Sequence, residues 1–201
     1  MRFTGIPEAV ILASALLLQA PAFAQEKQAE EKPQYIGVDG CAKCHKRKST
    51  GNQLGKWQEA KHSKAYATLA TPEAKKIAAE KGIADPQKDG KCLKCHVTAH
   101  GVDAALIAAP AEGKKGLVQE DGVGCESCHG PGSLYKPRKV MKDREASIAA
   151  GMTVPDEKTC EKCHNKESPT FKEFKFEEMW EKIKHPNPKR LEAEAAEKGG
   201  G

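Results

Sequence analysis

The residues with the clearest chemistry are cysteines and histidines in one repeated pattern, Cys-x-x-Cys-His. The 201-residue chain contains eight cysteines, and four copies of the pattern use all of them. In chain order the copies, here called the first to fourth motifs, are "CAKCH" (Cys41, Cys44, His45), "CLKCH" (Cys92, Cys95, His96), "CESCH" (Cys125, Cys128, His129) and "CEKCH" (Cys160, Cys163, His164). Two thiols and an imidazole at fixed spacing can hold a metal or a covalently attached group.

Three chemistries use paired cysteines, and the histidines separate them. A disulfide framework is typical of small secreted chains with an even cysteine count, but it does not explain a histidine after every pair. A zinc site built from four thiolates, or a thiol redox centre, leaves the same histidines idle. Cys-x-x-Cys-His is the attachment signal for a c-type haem, whose vinyl groups take the thiols and whose iron takes the imidazole. The sequence therefore predicts four covalently attached haems.

The N-terminus carries an export signal. Arg2 precedes an apolar run from Ala9 to Leu18, and Ala22-Phe23-Ala24 forms a small-residue cleavage pattern. We predict a cleaved signal peptide over residues 1–24, a tetrahaem domain over 25–188, a flexible polar tail over 189–201, and a periplasmic location. The apolar run is shorter than the roughly 18 residues that a membrane anchor needs.

Helix start and stop signals, with little strand signal and a modestly apolar composition, predict a mainly α, loop-rich, compact fold in which four covalent haems form much of the core. Helices are expected over Gly55 to Leu69, Pro72 to Lys81, about Val140 to Ala150, and Phe174 to Lys184.

The formal charge of +5 falls to about −3 once eight haem propionates are counted with ferrous irons. The basic composition is therefore no evidence that the protein binds nucleic acid.

Each iron has a proximal histidine in its motif, and the sixth ligand separates electron carriers from catalysts. Outside the motifs only His62, His100 and His185 remain for four irons. His62 and His185 are the predicted distal ligands. His100 follows His96 too closely to reach the other side of the same porphyrin, so it either ligates a neighbouring haem or binds a propionate. Met141 is the best methionine candidate, whereas Met179 is predicted to lie in the core.

The segments "KWQEAKHSKA", "GVGCESCHGPG" and "FKEFKFEEMWEKIKHP" resemble the cytochrome c-554 family of tetrahaem periplasmic cytochromes. The resemblance implies haems stacked in close pairs, three irons with two histidines and one open iron. It makes His62 the distal ligand of the third-motif haem and His185 that of the fourth. The family's histidine soon after the third motif is absent here, where Tyr135 and Met141 are nearby. Met141 or His100 is then expected to close the first iron, and the second-motif haem is expected to be the open one.

Electron transfer between a donor and an acceptor protein is the predicted function, since no cluster of catalytic acids and bases is evident. Lysines near the first two motifs can steer an acidic partner: Lys43, Lys46, Lys48, Lys91 and Lys94. Two alternatives stay open. One is a haem enzyme that reduces a small nitrogen oxide or peroxide at a five-coordinate haem. The other is a subunit of a larger cytochrome assembly, formed by self-association or with a membrane-bound redox complex.

Overall fold

A computed structural model describes Met1 and residues 31–199, with the side chains of 194 and 197–199 excepted. The predicted signal peptide, apart from Met1, lies outside the described residues. Contacts divide the chain into Met1–Glu31 and Lys32–Gly201, and the description below concerns the second unit alone.

The second unit is helical and rich in loops, as predicted. Its helices are short: α1 Val38–His45, α2 Gln53–Glu59, α3 Ala65–Thr68, α4 Pro72–Glu80, α5 Gly90–His96, α6 Cys125–His129, α7 Arg138–Met141, α8 Arg144–Ala149, α9 Glu157–Glu161, α10 Phe176–Ile183 and α11 Pro188–Gly199. The β-structure of the described residues is one isolated bridge between Tyr35 and Ile107. None of the described helices combines the length and the apolar character that crossing a membrane requires.

Helix α4 forms where its sequence signals predicted. The Thr71 hydroxyl accepts a hydrogen bond from the Ala74 N–H at 3.2 Å, and Pro72 occupies the first helical position. Gly82 follows the helix with a φ of 69°, a left-handed conformation that glycine adopts without steric cost.

The predicted helix from Gly55 to Leu69 is wrong in its continuity. The backbone becomes extended at Ala60 (φ −72°, ψ 154°), and a 3-10 turn follows over Lys61–Lys64. The Ser63 hydroxyl donates to the Ala60 carbonyl oxygen at 2.9 Å and so competes with regular helical bonding. His62 therefore lies on a tight turn between α2 and α3.

Two C-terminal helices also differ from expectation. In α10, Phe176, Trp180 and Ile183 form the half-buried face, while Met179 is 36% exposed and is not a core residue. The sequence analysis did not predict α11, which occupies the region assigned to the polar tail. Helix α11 contacts the 3-10 turn at Lys48–Thr50, just beyond the first motif.

The apolar core of the described residues is small. Its one cluster consists of Leu69, Leu93 and Val97, with Tyr66 and Cys92 packed against it. The cluster joins α5, which carries the second motif, to the end of α3.

Candidate haem-binding sites

Local helix formation presents the side chains of each motif. The first three motifs form the ends of α1, α5 and α6, which stop at their histidines, and the fourth begins in α9. One helical turn brings cysteines three residues apart onto the same face, and the histidine follows directly. None of the eight cysteines forms a disulfide, and no cluster of three or more His, Cys, Asp or Glu side chains within the described ranges could hold a metal ion by itself.

The four motifs are neighbours in space in an order that differs from their order in the chain. The thiols of Cys41 and Cys125 lie close enough to interact, and the interaction raises the pKa of Cys41 and lowers that of Cys125. Cys128 lies close enough to Cys160 to interact with it electrostatically, and burial together with that contact raises the pKa of Cys128 to about 11. The motifs therefore run first, third, fourth.

The second motif completes this series. Its Cys95 lies close enough to Cys163 of the fourth motif to interact with it, and burial, ahead of that interaction, raises the pKa of Cys163 to about 12. The spatial order of attachment points is thus first, third, fourth, second.

Two pairs of histidine rings face each other across a gap of suitable width. The ring centres are 6.0 Å apart for His62 and His164, and also 6.0 Å apart for His129 and His185. Two imidazoles that bind one metal from opposite sides at about 2 Å each place their ring centres about 6 Å apart. The residues present therefore fit two irons with two histidines each.

This pairing corrects the one that the family resemblance implied. His62 was expected opposite the third motif and His185 opposite the fourth. The structure brings His62 to His164 of the fourth motif and His185 to His129 of the third. His62 lies in the turn at Lys61–Lys64, where the carbonyl oxygen of His62 accepts from the Val123 N–H at 2.9 Å while the His62 ring meets that of His164.

Hydrogen bonds at Nδ1 prepare several imidazoles for metal binding through Nε2. Nδ1 of His96 lies 2.7 Å from the Ala65 carbonyl oxygen. Nδ1 of His129 lies 3.2 Å from the Thr153 carbonyl oxygen, and Nδ1 of His185 lies 2.8 Å from that of Ile183. His45 uses the Gln53 side-chain oxygen at 3.3 Å. An acceptor at Nδ1 fixes the tautomer whose Nε2 lone pair is free for a metal. His164 is held differently, by stacking on Phe174 at 4.8 Å.

His45 and His96 have no histidine ring facing them among the described residues. His100 is exposed, and its Nε2 lies against Gly90 at the start of α5, within the second-motif region itself. Met141 is half-buried at the end of α7. Tyr135 is 5% exposed and close to Cys41, but its hydroxyl donates to the Gly130 carbonyl oxygen at 2.7 Å.

Glu126, between the two cysteines of the third motif, is a buried residue that the sequence analysis missed. It is 4% exposed, and its carboxylate accepts N–H bonds from Ile36, Gly37 and Gly132 at 2.7 to 3.1 Å. Burial raises its pKa, while these hydrogen bonds act in the opposite direction. Because Gly37 precedes α1 directly, Glu126 ties the first motif to the third.

The sequence is similar to those of known proteins. The family model described as cytochrome c554 and c-prime matches residues 40–130. Cytochrome c-554 of Nitrosomonas europaea is 30% identical over 184 residues, which cover 75% of this chain and 73% of that protein. The chain belongs to the cytochrome c-554 family. No solved structure matches it.

Membership of the cytochrome c-554 family makes the protein a c-type cytochrome that carries electrons and binds haem covalently. It also agrees with the mainly α, loop-rich fold. The ring pairs and the Nδ1 acceptors described above are the features of this chain that suit such a group.

Proposed function

We propose that the protein is an exported tetrahaem electron carrier, with one haem at each motif and an electron path that follows the order first, third, fourth, second. Bound haem supplies an iron that cycles between the ferric and ferrous states. The polypeptide attaches the cofactor, supplies the axial ligands and sets the spacing between centres.

The contact series between cysteines is the observation that carries this proposal. Three cysteine pairs from different motifs lie close enough to interact, and together they make all four motifs neighbours: Cys41 with Cys125, Cys128 with Cys160, and Cys163 with Cys95. Since the cysteines bind the porphyrin edge, neighbouring cysteines mean neighbouring edges. An electron carrier needs its haems close together so that electrons pass from one to the next, whereas four independent haem sites would not need to be neighbours.

The ligands follow from the rings that face each other. His45, His96, His129 and His164 are the proposed proximal ligands. His62 is the proposed distal partner of His164, and His185 that of His129. Met141 stays a candidate for the first motif, while the position of His100 against Gly90 favours a contact within the second-motif region.

The small core supports a large contribution from the cofactors. Of the described residues, eight are buried hydrophobic ones: Ile36, Val38, Leu69, Ala78, Ile83, Leu93, Val97 and Tyr135. Porphyrin faces add apolar area, and each buried square ångström contributes about 25 cal/mol.

Mass spectrometry of the matured protein, with haem quantification, tests the haem number. We expect four haems, and three after the joint substitutions Cys160→Ser and Cys163→Ser. Fewer than four haems on the wild-type chain would contradict the proposal. Detection in the periplasmic fraction, with a mature N-terminus at Gln25, tests export.

A partner surface lies beside the first motif. Lys43, Lys46 and Lys48 are all exposed there. Beside the second motif, Lys94 is ion-paired with Glu167 at 2.5 Å, so part of its charge is already matched. We therefore propose that an acidic redox protein docks at the first motif, and that its association rate falls steeply with salt. A membrane-bound redox complex or a second copy of the chain is a further candidate partner.

A catalytic role at the second motif is the alternative, because His96 is one of the two proximal histidines without a facing ring. An iron there with an open position could bind and reduce a small nitrogen oxide or peroxide. Turnover faster than that of free haem, lost when an inert ligand fills the site, would favour the enzyme. Turnover no faster than free haem leaves electron transfer as the function.

A further inference from the structure

Gln53, at the start of α2, contacts two proposed haem ligands at once. Its side-chain oxygen is 3.3 Å from Nδ1 of His45, the proximal histidine of the first motif. Its side-chain nitrogen donates to the Thr50 carbonyl oxygen and lies 3.5 Å from the carbonyl oxygen of His185. His185 in turn faces His129 of the third motif.

The contact with His45 acts on the electronic character of the ligand. An acceptor at Nδ1 draws the N–H proton and makes the imidazole a stronger donor through Nε2. A stronger donor stabilises the ferric state and lowers the reduction potential, which depends on ligands and their hydrogen bonds. A neutral amide oxygen is weaker in this respect than a carboxylate and stronger than no acceptor.

The contact between the Gln53 side-chain nitrogen and the His185 carbonyl oxygen affects where the His185 ring lies. The segment after His185 packs tightly on the loop before α2: a Cβ atom on Gly51 would lie 2.5 Å from the Pro186 carbonyl oxygen, and Gly51 has a φ of 105°. The ring of His185 is fixed by its bond to Ile183. The Gln53 amide therefore anchors the backbone whose ring faces His129.

We propose that Gln53 is a positioning residue that links the first and third motifs, tuning His45 through its oxygen and holding His185 through its nitrogen. The inference rests on the ligand set proposed above. In this proposal the Gln53 side chain couples two adjacent redox centres, the first-motif and the third-motif haem.

Two substitutions at Gln53 test its contacts with His45 and with His185, because they change the acceptor at His45 in opposite directions and both remove the donor to His185. Gln53→Glu keeps the size, strengthens the acceptor at His45 and removes the donor to His185. Gln53→Leu removes both. Gln58→Glu is the matched control, because Gln58 is exposed on the same helix and the substitution adds the same charge there.

The experiment is a redox titration of each matured holoprotein at about pH 8, followed by electron paramagnetic resonance. The first-motif signal is assigned by its loss in a variant that carries the joint substitutions Cys41→Ser and Cys44→Ser. We expect its potential to fall in Gln53→Glu and to rise in Gln53→Leu. Both variants should give the third-motif haem a high-spin fraction, because both lose the amide donor. Gln58→Glu should change neither signal.

Potential shifts of the same sign in both variants, or none, would overturn the proposed tuning of His45. A third-motif signal that stays fully low-spin in both would overturn the link to His185. Should Gln53→Leu fail to mature, the isosteric Gln53→Glu still tests both contacts. If the wild-type protein titrates as four haems and Gln53 has no effect, the inference fails while the proposed function stands.

Discussion

The surroundings of the second motif differ in kind from those that join the first and third motifs. Helix α5 packs through the apolar cluster of Leu69, Leu93 and Val97. The first and third motifs are joined by buried polar groups, above all the Glu126 carboxylate. Apolar contacts are non-directional, whereas hydrogen bonds fix distance and angle. Directional contacts thus occur where two attachment sites must keep a defined mutual position.

The largest expected effect tests the difference between paired and unpaired histidines. His62→Ala and His185→Ala should each convert one low-spin haem to high-spin, because each removes a ring that faces a proximal histidine. His100→Ala should leave every signal unchanged, since His100 is exposed against Gly90. Electron paramagnetic resonance of the oxidised proteins is the measurement. A new high-spin signal in His100→Ala would return that residue to the ligand set.

Glu126→Ala and Leu93→Ala test the two kinds of packing separately, the buried hydrogen bonds between the first and third motifs and the apolar cluster around α5. Loss of Glu126 leaves three buried N–H groups unpaired, at about 1 kcal/mol or more each, hence about 3 kcal/mol or more of unfolding free energy. Loss of the Leu93 side chain should cost about 2 to 3 kcal/mol through the cavity it leaves. Denaturant unfolding of the holoproteins gives both values.

The two variants should also differ in which haems they disturb. Glu126→Ala is expected to alter the spectra of the first- and third-motif haems, and Leu93→Ala that of the second. If both variants disturbed all four haems equally, the contrast between the regions would lose its basis.

A third test concerns the backbone that supports His62. Gly122 has a φ of 63°, and a Cβ atom there would lie 2.7 Å from the His62 carbonyl oxygen. Gly122→Ala should cost about 2 to 3 kcal/mol, from strain and the clash together. It should also produce a high-spin fraction at the fourth motif.

Gly82→Ala is the matched control for this test. Its φ is 69° with no atom near a new Cβ, so only strain of about 1 kcal/mol is expected, without a spectral change. Equal costs for the two variants in thermal unfolding would argue against a close approach of His62 to Gly122.

The smallest effect is a pH dependence from Glu126. Burial raises its pKa above the ordinary value of 4.5, so its stabilising contribution is fully present below the unfolded pKa and is lost as the pH rises through the folded pKa. The stability of the wild type relative to Glu126→Gln should therefore fall as the pH rises from about 4.5, the ordinary pKa, through the raised pKa of Glu126 in the folded protein. A relative stability that increased over this range would show that the N–H bonds outweigh burial.

Local signals explain what could be predicted from the sequence. The motif spacing predicts which cysteines attach haem, and Thr71, Pro72 and Gly82 identified α4, because these features depend on neighbours within a few residues. The break at Ala60 was missed since the residues around it are compatible with a continuous helix. Its cause is the Ser63 hydroxyl, whose competing bonds do not change the apolar pattern.

Long-range contacts explain what could not be predicted. Glu126 looks like an ordinary intervening residue of a Cys-x-x-Cys-His motif, and its partner Ile36 lies 90 positions away. The assignment of His62 to the fourth motif likewise depends on how the turn at Lys61–Lys64 is oriented. Met179 was misplaced because the apolar residues of α10 allow two overlapping faces, and only packing selects Phe176, Trp180 and Ile183.

The contact between Gln53 and His185 has a consequence for biosynthesis. The two residues are 132 positions apart, and a ribosome makes the earlier one first. While the chain is being made, the Cys41–His45 segment emerges before Glu126 and His185 exist to pack near it. Its thiols are then fully accessible, which suits an attachment enzyme that works on an open chain. Closure over the first motif becomes a late event in assembly.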